Sequence, residues 1–167
     1  MTNVHEKNPT TITTPSNTQI RIERIFDAPR ELVWEAYTDA ESLPEWLGPR
    51  RLTMTIDEMD VRPGGSYRFT HHDADGNEFR FFGEYREIVP QEVLEWTFNF
   101  EGMPGTAIDR SEFEDLDGER TKLVVTSTYE SKEQRDRMLE SGMETGVREG
   151  HERLDELLEK RLARQAD

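Results

Sequence analysis

From residue 51 to residue 129 the chain is organised by a period of two. Apolar and polar positions alternate through six consecutive runs, at about 51–61, 66–72, 78–88, 92–100, 107–115 and 119–129. Pro63-Gly64-Gly65, Asp75-Gly76-Asn77, Pro90 and Asp117-Gly118 punctuate them as turns. No interval between runs is long enough for a crossover helix, so the pattern dictates an antiparallel meander. An earlier run, Gln19 to Asp27, reads as one more strand, with Ile20 and Ile22 on one face.

The same alternation selects the face that needs a cover. Tyr67, Phe69 and His71 share one side of their strand, and Phe79, Phe81, Gly83 and Tyr85 share one side of the next. Leu94, Trp96, Phe98 and Phe100 follow, then Thr121, Leu123, Val125, Ser127 and Tyr129. Eight Phe, four Tyr and three Trp compensate for a hydrophobic fraction of only 33%, because each ring buries a large area.

Helices supply the cover. Asp-Ala-Pro-Arg-Glu at 27–31 resembles a helix start, an acidic cap with Pro inside the first turn, and Leu32, Val33, Ala36 and Tyr37 form its stripe. Asp39 is placed to cap a second short helix through Leu43 to Leu47, ended by Gly48-Pro49. Ser131-Lys-Glu-Gln134 is a capping box that opens a helix running to about Arg164. Met138, Leu139, Met143, Val147, Leu154, Leu157, Leu158 and Leu162 fall near one side of it. The expected class is α+β, with a curved antiparallel sheet, two short helices after the first strand, and one long C-terminal helix. Residues 1–18 read as a disordered tail and 19–167 as a single domain.

Gly142, Gly146 and Gly150 recur every four residues in the predicted long helix. Each interior glycine costs about 1 kcal/mol relative to Ala, so the stripe implies close backbone approach, a hollow left beneath the helix, or a break in the helix.

Composition removes several functions. A net charge of −15 repels phosphate backbones and anionic lipid surfaces, which excludes nucleic acid and membranes as expected partners. Without Cys there is no thiolate nucleophile, zinc-thiolate site or iron–sulfur cluster. No signal peptide or apolar run of about 20 residues is present, which points to the cytoplasm. His71, His72 and Asp73 adjoin a turn, and neighbours in a strand face opposite ways, so no metal site is expected. No cofactor fingerprint and no catalytic set are read. Asp109, Glu112 and Glu114 read as a solvated strand face in an acid-rich chain.

Several segments together resemble a known family. They are Ala28-Pro-Arg-Glu-Leu-Val-Trp34, Leu43-Pro-Glu-Trp46, the run Met59 to Phe69 with its Arg-Pro-Gly-Gly turn, Gly83 to Pro90, and Leu154 to Leu158. They are similar to the SRPBCC (START-like) superfamily, nearest the branch named after the C-terminal domain of a heat-shock chaperone ATPase activator. The resemblance covers about 19–160 and implies the helix-grip fold, a curved sheet wrapped around a C-terminal helix with a cavity between them. It implies no shared nucleophile.

The combined expectation is a module that binds a small apolar molecule, aromatic or lipid-like. From the sheet its walls would be Tyr67, Phe69, His71, Phe81, Trp96 and Phe98. The short helices would add Trp34, Tyr37 and Trp46, and the long helix Met138, Gly142, Met143 and Gly146. Two other roles fit the same sequence. One is a cyclase, dehydratase or hydrolase using His71 and a Tyr as proton carriers; the other is a chaperone-regulating protein partner, by analogy alone. Monomer and homodimer are equally compatible.

Overall fold

The computed structural model describes residues 8–166. Eight strands form one curved antiparallel sheet: β1 Thr11–Ser16, β2 Gln19–Phe26, β3 Thr53–Met59, β4 Ser66–His72, β5 Glu78–Val89, β6 Val93–Phe100, β7 Met103–Asp115 and β8 Thr121–Thr128. Their order across the sheet is β1-β2-β8-β7-β6-β5-β4-β3. The six-run meander is therefore consecutive in space, and β2 closes it by pairing with β8. Helix α1 (Arg30–Thr38) and a 3-10 turn (Leu43–Glu45) follow β2, and α2 (Lys132–Glu140) and α3 (Met143–Ala166) follow β8.

Three expectations change. The predicted tail contains β1, which pairs with β2 through Ile12 opposite Ile22; residues 1–7 lie outside the described residues. The strand expected at about 107–115 begins earlier, at Met103. The long helix is two helices. Ser141 ends α2, and Gly142 takes φ +87, a left-handed conformation that glycine adopts without steric cost. Leu139, counted in the stripe, is 36% exposed.

The cap at Ser131 is present, Ser131 Oγ accepting from Gln134 N, while Gln134 Oε1 accepts from Glu130 N, one residue before the partner a capping box uses. At α1 the cap is Pro29 rather than Asp27, whose carboxylate accepts instead from Asn8. The buried stripe of α1 is Leu32, Val33, Ala36 and Tyr37, as the sequence predicts.

Burial follows the sheet's inner face. Phe26, Leu32, Val33, Tyr37, Leu43, Trp46, Tyr67, Phe69, Tyr85, Leu94, Trp96, Phe113 and Leu123 form the main core with Leu154, Leu157 and Leu158 of α3. A second cluster, Ile20, Ile22, Ala107 and Tyr129, meets Met138 of α2 and Met143 and Val147 of α3.

Gly83 is a point of close approach within the sheet. A Cβ there would lie 2.0 Å from the carbonyl oxygen of Thr97. The Tyr67 hydroxyl donates to that same oxygen at 2.7 Å, although Tyr67 pairs with Gly83 on the intervening strand. The missing side chain is what lets the tyrosine cross. Gly83→Ala is expected to cost about 1–3 kcal/mol through overpacking and loss of that bond, read as a lower urea midpoint at unchanged slope. A midpoint equal to wild type would show that the strands separate freely at this point.

Candidate functional site

The predicted wall residues divide into two groups. Trp46, Tyr37, Tyr67, Phe69 and Trp96 are core, each at most 9% exposed. Their rings fill space against one another: Tyr37–Trp46 at 4.6 Å, Tyr67–Phe69 at 4.8 Å and Tyr67–Trp96 at 5.2 Å between centroids. Trp46 Nε1 donates to Ala36 O at 2.9 Å, holding the 3-10 turn against α1. Trp34 is half-buried and meets Phe113 edge-on. These rings build the fold and leave little between them.

The other group is open. Phe98 and Met143, joined by Val125 and Val147, which were not among the expected walls, belong to or touch the inner clusters, yet each is only half-buried. Phe81 is half-buried and stacks on Phe98 and Phe100 at 5.4 and 5.0 Å. Where β6 and β7 meet α2, a narrow cleft lined by Phe98, Phe100, Met103, Ala107, Tyr129 and Met138, among others, closes to about 10 Å³, room for about one water molecule.

The glycine stripe does not line this space. Gly142 is exposed at the helix break, with nothing within 4 Å of where a Cβ would stand. A Cβ on Gly146 would touch Pro49 at 3.5 Å, and one on Gly150 would meet Trp46 O at 3.3 Å and Gly48 N at 3.4 Å. The last two glycines seat α3 on the 46–49 segment, which Arg153 also ties down by donating to Gly48 O at 3.1 Å. Close approach is the reason for the glycines, and the partner is this loop, not the sheet.

His71 lies under the same loop. It is 7% exposed, packs edge-on against Phe81 at 5.1 Å, and sits so near Gly48 that a Cβ there would come within 2.9 Å of Cε1. Its Nε2 has no hydrogen-bond partner among the described residues. Burial, with Arg153, His72 and Arg51 nearby, lowers its pKa to about 4, so the ring is neutral near pH 7. His72 faces the other way, its Nε2 3.0 Å from Thr55 Oγ1. Asp73 folds the turn by accepting from the backbone N–H of Asp75 and Asn77. On that outer face an open groove of about 240 Å³ contains Asp57, Arg68, Glu78 and Arg80. Arg80 pairs with Glu78, and Arg68 lies over the Phe82 ring.

Asp109 is the residue that the reading of a solvated acidic face missed. It occupies the centre of a cross-strand row, Tyr85–Trp96–Asp109–Ser127–Ile20, whose other four members are buried. Trp96 Nε1 donates to its Oδ2 at 3.2 Å. Burial raises its pKa, and Ser127 and Trp96 partly offset that rise. Its charge in turn adds to burial in raising the pKa of Tyr37, Tyr67 and Tyr129. Asp109 nevertheless keeps part of its surface open. The signal was present in the sequence: Ala107, Asp109, Ser111 and Phe113 share the inward phase, whereas Glu112 and Glu114 are exposed.

Comparison with known proteins fits this architecture. Residues 27–159 match the family described as "Activator of Hsp90 ATPase homolog 1-like protein". The chain belongs to this family. A crystal structure of a Rhodobacter sphaeroides protein superposes with a TM-score of 0.85 at 26% identity, covering 91% of this chain and 99% of that one. A solution structure from Arthrobacter aurescens gives 0.82 at 28% identity, over 90% and 91% of the two chains. A crystal structure of a Chromobacterium violaceum protein gives 0.77 at 28% identity, over 86% and 99%. No match was found among curated proteins. The fold is thus the helix-grip arrangement of Activator of Hsp90 ATPase homolog 1-like proteins. Among the described residues no helix is long and apolar enough to cross a membrane.

Proposed function

We infer that this family member binds a small, largely apolar molecule between the inner face of β6–β8 and the junction of α2 with α3. The observation that carries the reading is the incomplete burial of Phe98, Asp109, Val125, Met143 and Val147, termed the island, beside the closed core of Tyr37, Trp46, Tyr67, Phe69 and Trp96. Small side chains adjoin the island in the sheet register, Ala107 beside Phe98, Ser111 beside Val125 and Ser127 beside Asp109. Met138 and Met143 contribute flexible thioether side chains that adapt to a guest.

Entry is served by the helix break. Among α2 residues only Gln134 is buried, so few contacts hold this helix down, and Gly142 provides a joint on which it can swing away from the start of β7. The island and His71 do not combine into an acid–base pair. Asp109 on β7 and His71 on β4 are three strands apart in the sheet, with Phe81 and Phe98 between them.

Thermal unfolding against a panel of naphthalene derivatives and medium-chain fatty acids tests the assignment. A ligand at about 100 times its Kd stabilises by about 2.7 kcal/mol, a rise in Tm of several degrees for a domain of this size. Val147→Trp is expected to fill the island, abolish the rise and leave Tm close to wild type. Binding that survives this substitution unchanged would place the guest elsewhere, and a panel that never raises Tm would remove the function.

A further inference from the structure

The island has a single charged member. A carboxylate offers about four acceptor directions, and Asp109 has one indole N–H at 3.2 Å and the Ser127 hydroxyl facing it across the β7–β8 pair. Both are neutral. The cation buried on the same face, Arg24, is engaged by Asp155 at 2.5 Å. Among the described residues, no ion pair is formed by Asp109. An ionised carboxylate in such surroundings keeps its solvation only through the remaining open surface.

That constrains what can enter. A purely hydrocarbon guest would strip the last water from Asp109 and give nothing back. An anion would meet both this charge and a chain of net charge −15. A neutral hydroxyl would satisfy a lone pair but leave the charge uncompensated. A cation satisfies both, and nearby rings favour it: Trp96 pairs with Asp109 in the sheet register and Phe98 with Ala107, two residues before it, and aromatic faces attract ammonium groups.

We propose that Asp109 is the recognition residue for a protonated amine carried on an apolar body of about the size of a fused aromatic ring, a specificity that rests on the small-molecule role inferred for the island. The amine reaches the Asp109 carboxylate while its apolar body lies against Phe98, Val125 and Val147 under Met143. Trp96 and Ser127 position the carboxylate and do not substitute for it.

Three probes with one body separate the possibilities: 2-naphthylmethylamine, 2-naphthylmethanol and 2-methylnaphthalene, titrated calorimetrically at pH 7 into wild type and Asp109→Asn. Wild type is expected to bind the amine at least tenfold more tightly than the hydrocarbon, with the alcohol between them. Asp109→Asn keeps the shape, removes a buried charge, and is expected to lose the amine's advantage while binding the hydrocarbon no less tightly than wild type does. Ser127→Ala, which retains the carboxylate, is expected to retain the preference. Equal affinity for all three in wild type would overturn the amine assignment while leaving the small-molecule role intact, and an alcohol that binds tightest would do the same. Failure of all three to bind wild type would overturn both. If Asp109→Asn does not fold, the wild-type ranking and the Ser127→Ala result decide.

Discussion

Asp155→Ala should lower the unfolding free energy by about 3–5 kcal/mol at pH 7, the typical cost of leaving one partner of a buried ion pair alone. The side chains of Arg24 and Asp155 are 2% and 12% exposed and meet at 2.5 Å. They join β2 to α3, which are far apart in sequence, so the pair also fixes how the terminal helix sits on the sheet. Once the carboxylate is gone, Arg24 retains little. Its Nε already has no hydrogen-bond partner among the described residues, and its guanidinium lies 4.9 Å from the centre of the Phe26 ring, a contact worth at most about 2 kcal/mol. The cation cannot escape by deprotonating, because arginine keeps its charge under all ordinary conditions. The penalty belongs to the orphaned charge rather than to the lost bond, and this distinction is measurable. In urea unfolding, the double replacement Arg24→Met with Asp155→Leu is expected to be less destabilised than Asp155→Ala, since apolar groups of similar volume remove the desolvation cost altogether. A loss below about 1 kcal/mol for Asp155→Ala would show that water reaches Arg24 and that the pair behaves as a surface contact.

The parts of this architecture that were legible in the sequence are those in which side-chain chemistry and backbone period agree. Most strands of the meander have alternating apolar residues and a Gly, Pro or Asp turn at their ends, so the inward faces of β4, β5, β6 and β8 could be read directly, whereas β7 starts four residues before its expected run and its inward face was not read. Ser131 and Gln134 marked a helix start because capping is a local hydrogen-bond problem with a local solution. β1 was illegible for the opposite reason. Thr11–Ser16 is an edge strand with Ile12 as its one partly buried position, and its stability comes from pairing with β2, which leaves no pattern in its own residues. The glycines misled because residues four apart face the same way in any helix. Gly142, next to Ser141, carried a competing signal as a helix terminator, and the structure follows that one. The interior polar residues were hidden by a general expectation that charged groups face solvent. Arg24 is in phase with Ile20, Ile22 and Phe26, and Asp109 with Ala107 and Phe113. A charge in the apolar phase of a strand is a stronger sign of burial than the acidity of the whole chain is of exposure.

Acidification from pH 6.5 to 4 should destabilise the protein by several kcal/mol, through two histidines held neutral inside it. His71 has its pKa lowered to about 4 by burial, with Arg153, His72 and Arg51 adding to the effect. His151, whose Nδ1 lies 2.8 Å from Thr10 Oγ1 and whose ring meets Phe26 edge-on, is lowered to about 3 by burial, with Arg24 and Arg148 contributing. In the unfolded chain both return to about 6.5. Between that value and the folded one, the unfolded state binds protons that the native state refuses, so stability rises with pH across the window and is lost as pH falls. A tenfold difference in proton affinity between the two states corresponds to about 1.4 kcal/mol, which makes the two sites together comparable to the whole stability of an ordinary domain, about 5–15 kcal/mol. Asp109 acts in the opposite direction. Burial raises its pKa above 3.8, so the native state accepts a proton there more readily than the unfolded chain does, and acidification relieves one buried charge. Asp73, Asp117 and Asp136 have lowered pKa values, and what they contribute is lost only as pH falls below about 3.8. One site opposing two leaves a net loss within the window. Urea midpoints measured at half-unit steps from pH 7 to 4 should therefore fall steadily. A His71→Leu, His151→Gln double variant should flatten the profile, or tilt it slightly upward toward acid where Asp109 is the remaining titrating group inside. A wild-type profile flat down to pH 4.5, or a double variant with the wild-type slope, would mean that both imidazoles are open to protons in the native state.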